Sequence, residues 1–562
     1  MIGVITNPPE EAAIREFFEL FKTPWEQYRS GLDYEVVICV GNAKLEGISA
    51  RLLIIYAAEK TSFDEERQVQ IQSRHNGSTC SFAEGHLPIF GRAVTFRHPG
   101  ISFMANEDSH ESIGFVDQYG AQIFARIGYD LPSEVNTLLT EGQPSVNGST
   151  PTLDLHIANL RDLIVGCGIP LVEIPPLPDR FPFTVCLTHD VDHPSIRRHR
   201  LDHTIFGFLL RATAGSLINL ARGRISLSKV MLNWSAAVRL PFVYVGLAKD
   251  FWNNFERYLE IDGDHPSTFY FIPFSDRAGD TPDGPAPRLR AARYDISHVS
   301  EKIPLLLSES CEVGLHGIDA WADTARGREE ARRITEISGV EELGVRTHWL
   351  FRKSDSMRLL DAAGFLYDSS VGYSDAVGFR AGTNQVFKPL GANRMLEVPL
   401  HIMDTALFYS ARMDLSPAKA WVTLTPIFEG AARHGGVVTI DWHDRSIAPE
   451  RLWEDFYVCL LKSLEQKGPW FATVTQVVAW FQRRRSAKFE CAERQDGAMR
   501  VRVIVPRGSG LPPMRLRVYK PARDTQRTTF DTNPNYSFSD YCLDSDAETC
   551  LPLHREGLAS CQ

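Results

Sequence analysis

Up to about position 178 the apolar positions come in short β-rich runs, "YEVVICV", "RLLIIYAA" and "RAVTF", separated by polar loops. This part closes on "IPLVEIPPLPDRFP", whose prolines favour extended chain and break helices, as a domain boundary would. The pattern then changes. Short apolar strands recur in "FTVCLTHD", "STFYFIPF", "CEVGLHG", "LGVRTHWL", "FLYDSSVG", "MLEVPLHI" and "GGVVTIDWH", with helical segments such as "ARGREEARRITEI" and "SDSMRLLDAAG" between several of them. Strands alternating with helices predict parallel βα units, and seven strand candidates in one segment favour a barrel over a small open sheet. After Ala487, "MRVRVIVP" and "PMRLRVYKP" read as two alternating strands. The expected organisation is therefore an accessory α/β domain over 1–178, a barrel over 179–487 and a small β-rich appendage over 488–562.

One stretch interrupts the alternation. Residues from about 195 to 262 are too many for a simple βα connection and read as two or three amphipathic helices. They form either a cap on the barrel or a surface that touches membrane, because Arg197, Arg198, Arg200, Arg211, Arg222 and Arg224 accompany Phe and Leu there. No stretch approaches the roughly 20 apolar residues needed to cross a bilayer. "MIGVITNPPEEAAIREFFELF" lacks a basic head and long apolar core, so it does not read as a signal peptide, and a cytoplasmic protein is expected.

Composition alters this picture little. The 562 residues are 43% hydrophobic and 23% charged, ordinary for a globular protein. A net charge of −10 argues against a general nucleic-acid binder. Ten cysteines without a CxxC pair suit reduced thiols better than a disulfide framework. Cys542, Cys550 and Cys561 near His554 match no zinc-ligand spacing.

The chemistry gathers where strands end, as sites on barrels do. "FPFTVCLTHDVDHP" runs from an apolar strand into Asp190 and Asp192, which at a spacing of two point to one face. If one of them binds a divalent metal, the other is placed to accept a proton from water. His316 follows the strand end of "EVGLHGIDAW" as a natural metal ligand. In "GVRTHWL", Arg346 and His348 share a strand face and suit a carboxylate and a metal respectively. His443 ends "VTIDWHD" between Asp441 and Asp444, an arrangement for a general acid.

In this order, the motifs between Phe183 and Phe481 resemble the polysaccharide deacetylases of the NodB-homology group, carbohydrate esterase family four. The resemblance implies a distorted (β/α)7-type barrel and a metal-dependent hydrolase, with zinc the favoured ion. It implies Asp190 as catalytic base, Arg346 as the residue orienting that base, His443 as catalytic acid, and Asp192 and His316 as metal ligands. Two departures stand out. Asp441 occupies a place where the family usually has Leu, and Ala320 occupies that of the second ligand histidine. His348 is the preferred substitute, with Asp319 the alternative. The implied reaction removes N-acetyl groups from a carbohydrate, releasing acetate and a free amino sugar. Alternatives are hydrolysis of another non-peptide C–N bond, or a glycan-binding barrel without catalysis. The lack of a signal sequence favours an intracellular lipid-linked or nucleotide-linked substrate over an extracellular polymer.

Overall fold

The computed structural model describes all residues except 42–46, 84, 99, 496–497, 507–509, 522–535, 546 and 553–562, and describes only the backbone of 491–500 and 547–552. Of the cysteine grouping around His554, Cys542 is described and Cys550 by its backbone, while His554 and Cys561 lie outside the described residues. The chain divides into two compact units. One comprises Met1–Arg180, Ala381–Thr383 and Ala479–Gln562, the other Phe181–Arg380 and Asn384–Val478.

The first unit is built on a nine-stranded mixed sheet. Trp25–Gln27, Ile2–Ile5, Tyr34–Val40, Ala50–Tyr56 and Gln122–Ile127 run parallel in that order. Ser112–Tyr119, Gly85–Arg97, Gln70–Phe82 and Ile101–Asn106 continue it antiparallel. Leu171–Glu173 pairs with Met514–Lys520, and that strand with Ser537–Leu543. Residues set apart in sequence as an appendage over 488–562 thus share a unit, and a sheet, with N-terminal residues.

His156 in this unit is fully buried, with Tyr129 Oη at 3.1 Å from its Nδ1. Its Nε2 is buried without a partner among the described residues. Burial pushes its pKa down to about 3. The unfolded chain therefore binds the extra proton from about pH 6.5 downward, whereas the folded chain refuses it. Stability is expected to fall with pH over that window at about 1.4 kcal/mol per pH unit. Thermal unfolding between pH 7 and 5 checks this, and His156→Gln should flatten the dependence.

The second unit holds a ring of seven parallel strands, with Trp470–Phe471 pairing in parallel with the first of them outside the ring. The seven are β1 (Thr184–Val191), β2 (Ser267–Phe271), β3 (Glu312–Gly317), β4 (Val345–Thr347), β5 (Tyr367–Asp368), β6 (Leu396–Glu397 and Ile402–Met403 in one extended run) and β7 (Val437–Asp441). β1 lies between β7 and β2, and the order continues through β3, β4 and β5 to the first half of β6. The second half of β6 pairs with β7. Between the halves, Leu400 N–H donates to Val371 O at 3.0 Å and His401 N–H to Thr439 O at 3.2 Å. One run of chain thus pairs with β5 at its start and β7 at its end, closing a seven-stranded ring.

Side-chain alternation sorts the barrel into an apolar coat and a polar interior. Val185, Leu187, Phe269, Phe271, Val313, Leu315, Val438 and Ile440 belong to the unit's main hydrophobic cluster. The residues between them include Thr188, Asp190, Thr268, Tyr270, His316 and Asp441, all buried. Gly344, just before β4, makes room for this interior: a Cβ there would lie 1.9 Å from the Tyr367 ring.

The insertion is helical, as its amphipathic pattern predicts. His203–Leu210, a π-helical stretch Arg211–Gly215 and Ser216–Ala221 follow one another without a break, and Leu227–Tyr244 returns. One expectation needs correction here. His203–Ala221 is long and apolar enough to cross a membrane by length and composition, with a mean hydropathy of 1.3. The sequence reading missed it because Arg211 and small residues divide the apolar positions, while the helix continues through them.

Candidate active site

Asp190 sits near the end of β1, buried, where the alternation turns it inward. Its Oδ1 accepts from Arg346 Nη1 at 3.0 Å, and its N–H donates to Asp441 Oδ1 at 3.1 Å. Arg346 is fixed from several sides. It donates to Thr188 Oγ1 at 2.7 Å and to Ser369 O and Oγ at 3.0 Å each, and lies 4.6 Å from the Tyr270 ring. Burial alone would raise the Asp190 pKa, but Arg346, His316 and His443 outweigh it and hold the carboxyl below its ordinary value. Asp441 shows the opposite result: burial and the neighbouring Asp190 push it up to about 7.

Asp192, one residue beyond β1, is half-buried and faces two imidazoles. His316 Nε2 lies 3.4 Å and His348 Nε2 3.5 Å from its Oδ1. Ligand atoms of the three residues lie within 4.8 Å of one another. His316 Nδ1 is 3.1 Å from Arg346 O, which fixes a proton on Nδ1 and turns Nε2 toward Asp192. Burial pushes His348 down to about 3, so it presents a neutral ring. Burial would lower His316 as well, but Asp190 and Asp192 raise it above its ordinary value. Asp192 Oδ1 is buried with no hydrogen-bond partner among the described residues. One carboxylate and two imidazoles whose ligand atoms converge beside such an orphaned oxygen fit a divalent cation of the zinc type, which would displace any proton on His316 Nε2. A second group, Asp190, Asp441 and His443, is similarly close, but Arg346 already supplies its cation.

His443 follows β7. Its Nδ1 is 2.7 Å from Asp404 Oδ1, and its backbone N–H donates to Asp404 Oδ2 at 2.7 Å. Asp441 Oδ2 is 3.4 Å from the same Nδ1, and Nε2 is 3.9 Å from Asp192 Oδ2. Burial would lower this imidazole's pKa, but Asp441 and Asp404 raise it well above its ordinary value. The result is a protonated ring with Nε2–H turned toward the Asp192 cluster.

All six residues singled out in sequence, Asp190, Asp192, His316, Arg346, His348 and His443, therefore meet at one end of the barrel. Asp319 does not join them. It accepts from Asp280 N–H at 2.8 Å and lies 3.6 and 3.5 Å from Arg277 and Arg326. His189 faces outward, its ring nitrogens 2.8 Å from Trp442 O and 3.0 Å from Asp262 Oδ2, as a core histidine. Asp404 was not found in sequence. Its only signal is the one its neighbours share, an acid directly after a strand end in "PLHIMD".

Asp192, His348 and His443 line a cavity of about 320 Å³, within the usual range for small-molecule sites. His443, held protonated by Asp404, lines this space, and Asp190, held ionised by Arg346, lies behind the cluster with its Oδ2 3.7 Å from His316 Nε2. Such a pair can remove a proton on one side of a reacting bond and deliver one on the other.

No family model and no curated protein matches the chain. Solved structures do. A protein assigned as a polysaccharide deacetylase from Mycobacterium smegmatis is 17% identical, with a TM-score of 0.34, over 55% of this chain and 94% of that one. An allantoinase is 15% identical, with a TM-score of 0.33, over 54% and 92%. A protein assigned as a polysaccharide deacetylase from Pseudomonas aeruginosa PAO1 is 16% identical, with a TM-score of 0.32, over 57% and 98%. The chain is similar to polysaccharide deacetylases.

Proposed function

We propose that this protein is a metal-dependent hydrolase that removes N-acetyl groups from an amino-sugar carbohydrate, releasing acetate and the free amine. The observation that carries the reading is the Asp192–His316–His348 cluster set between an ionised Asp190 and a protonated His443. A zinc-type ion held by Asp192, His316 and His348 supplies Lewis acidity for the amide carbonyl and for water. The chain's own residues supply the proton transfers. Asp190 takes the proton of the attacking water, and Arg346 keeps it ionised for that task. His443 gives its Nε2 proton to the departing amine nitrogen, and Asp404 holds the ring in that tautomer. Acetate release from a panel of N-acetylated sugars tests the reading. Release from a cyclic amide alone would transfer it to another C–N bond. Metal-loaded protein inert toward both would leave a glycan-binding barrel. Buried free thiols at Cys39, Cys80, Cys167, Cys186 and Cys311 suit a reducing compartment and support a cytoplasmic site of action.

The ligand set has its own test. His348→Ala is expected to lose most bound metal, while Asp319→Ala keeps it, because Asp319 is engaged by Arg277 and Arg326. Metal content after dialysis decides it, and the reverse pattern would transfer the ligand role to Asp319.

A further inference from the structure

The cavity that Asp192, His348 and His443 line has an arginine-rich wall, formed by Arg211, Arg290, Arg412, Arg445 and Arg451. Arg290 serves the fold, donating to the carbonyls of Ala278, Ile318 and His348. The others gather about Tyr409. Arg451 donates to its hydroxyl at 2.5 Å, and the Arg451 and Arg412 guanidinium carbons lie 4.3 and 5.4 Å from its ring. Arg445 and Arg211 act on the same neighbourhood, and Arg211 Nε is buried without a partner among the described residues. Glu450 and Asp444 are the carboxylates set against these four guanidinium groups. Several guanidinium groups held together in a partly buried wall repel one another unless an anion joins them. Their planar donor forks match phosphate oxygens.

We propose that this wall binds a phosphate carried by the substrate, so that the carbohydrate acted on is a phosphorylated amino sugar. The proposal rests on the deacetylase reading for its reacting end, while phosphate binding is measurable without turnover. Calorimetric titration of the metal-loaded full chain with inorganic pyrophosphate should show binding that weakens at least tenfold in Arg445→Gln/Arg451→Gln, with metal content unchanged. Undetectable binding to the parent chain, or equal binding to both proteins, overturns the proposal. If pyrophosphate binds but no acetylated sugar is cleaved, the deacetylase reading fails and the phosphate site stands. Acetate release from a soluble N-acetylhexosamine 1-phosphate, compared with the same headgroup on a long-chain lipid in vesicles, distinguishes a free from a lipid-linked source.

A separate observation concerns the outer side of the helical insertion. More than half of the large apolar side chains exposed on the described residues lie within 201–247. Phe206, Leu210, Leu217, Trp234, Val238 and Phe242 are each at least 46% exposed. Contiguous apolar exposure on this scale marks an interaction surface. The charges name the partner. Residues 203–249 contain no acidic side chain, in a chain of net charge −10, and besides Arg211 in the cavity wall they carry Arg222, Arg239 and Lys249, with Arg224 and Lys229 paired to Asp414 and Asp455. The inner side is anchored, since Ile205, Phe208 and Ala212 cluster with Leu240, Trp252 and Ala448. A helix pinned along one side lies in an interface and does not thread through it.

We infer that this face rests on an anionic lipid bilayer, its apolar side chains below the headgroups and its cations among them. The first helix also lends His203, Thr204 and Arg211 to the cavity wall, which would bring the cavity to the membrane surface. Co-sedimentation of the full chain with vesicles tests the inference. Phosphatidylcholine vesicles containing phosphatidylglycerol should carry the protein down, phosphatidylcholine alone should carry much less, and high salt should weaken binding several-fold. Leu217→Glu/Val238→Glu should reduce binding at least tenfold. Protein that stays in the supernatant with anionic vesicles, or a discrete dimer in solution that Val238→Glu disperses, overturns the inference.

Discussion

Asp190→Asn is expected to keep its metal and lose about 100- to 10,000-fold in turnover, the usual contribution of a positioned general base. The variant preserves shape and one acceptor oxygen for Arg346, whose Nη1 donates to Oδ1 at 3.0 Å, so the barrel interior has little reason to move. What disappears is the acceptor for the water's proton. Because Arg346 holds Asp190 below its ordinary value, the parent base is ionised throughout the neutral range. Arg346→Met removes that cation, so the Asp190 pKa should rise and the acid limb of the rate profile should move to higher pH. Metal content and acetate release, measured together, check the first expectation. A loss of metal in Asp190→Asn would make the residue a ligand, and unchanged turnover would remove it from the chemistry.

The second large effect concerns the leaving group. His443→Ala should retain metal and lose a comparable factor on an acetamide, because an amine departs poorly without a proton. On an activated acetate ester, whose alkoxide leaves unaided, the His443→Ala defect should shrink while that of Asp190→Asn persists. Asp404→Asn should show the same substrate dependence at a smaller size, about 10- to 100-fold on the amide. It loses the charge at 2.7 Å from Nδ1 that keeps the ring protonated. Equal losses on amide and ester would mean that His443 binds substrate or metal and delivers no proton.

Much of the barrel's site was legible because its strands are short and end in polar residues. The spacing of two in Asp190 and Asp192, and again in Arg346 and His348, already assigns each pair to one face. The companions of those residues were not legible. Asp404 is 39 residues from His443 in sequence, and only the pairing of β6 with β7 sets their strand ends side by side. His189 could not be separated from Asp190 by composition, since both are ionisable and adjacent. The alternation of β1 separates them, sending one to the coat and the other to the interior. At the chain's far end, the strand pattern of "PMRLRVYKP" was visible, whereas its partner Leu171–Glu173 is hundreds of residues away and carries no local mark.

The shared strand β6 also orders events when the chain folds. Asp192, His316 and His348 lie at the ends of β1, β3 and β4, which an open sheet lacking β6 already brings together. The Asp404–His443 pair exists only once the second half of β6 has docked on β7. An open intermediate would therefore be competent to capture metal while unable to protonate a leaving group. Refolding from denaturant in the presence of zinc should recover bound metal before turnover, and the interval between the two recoveries would time the closing of the ring.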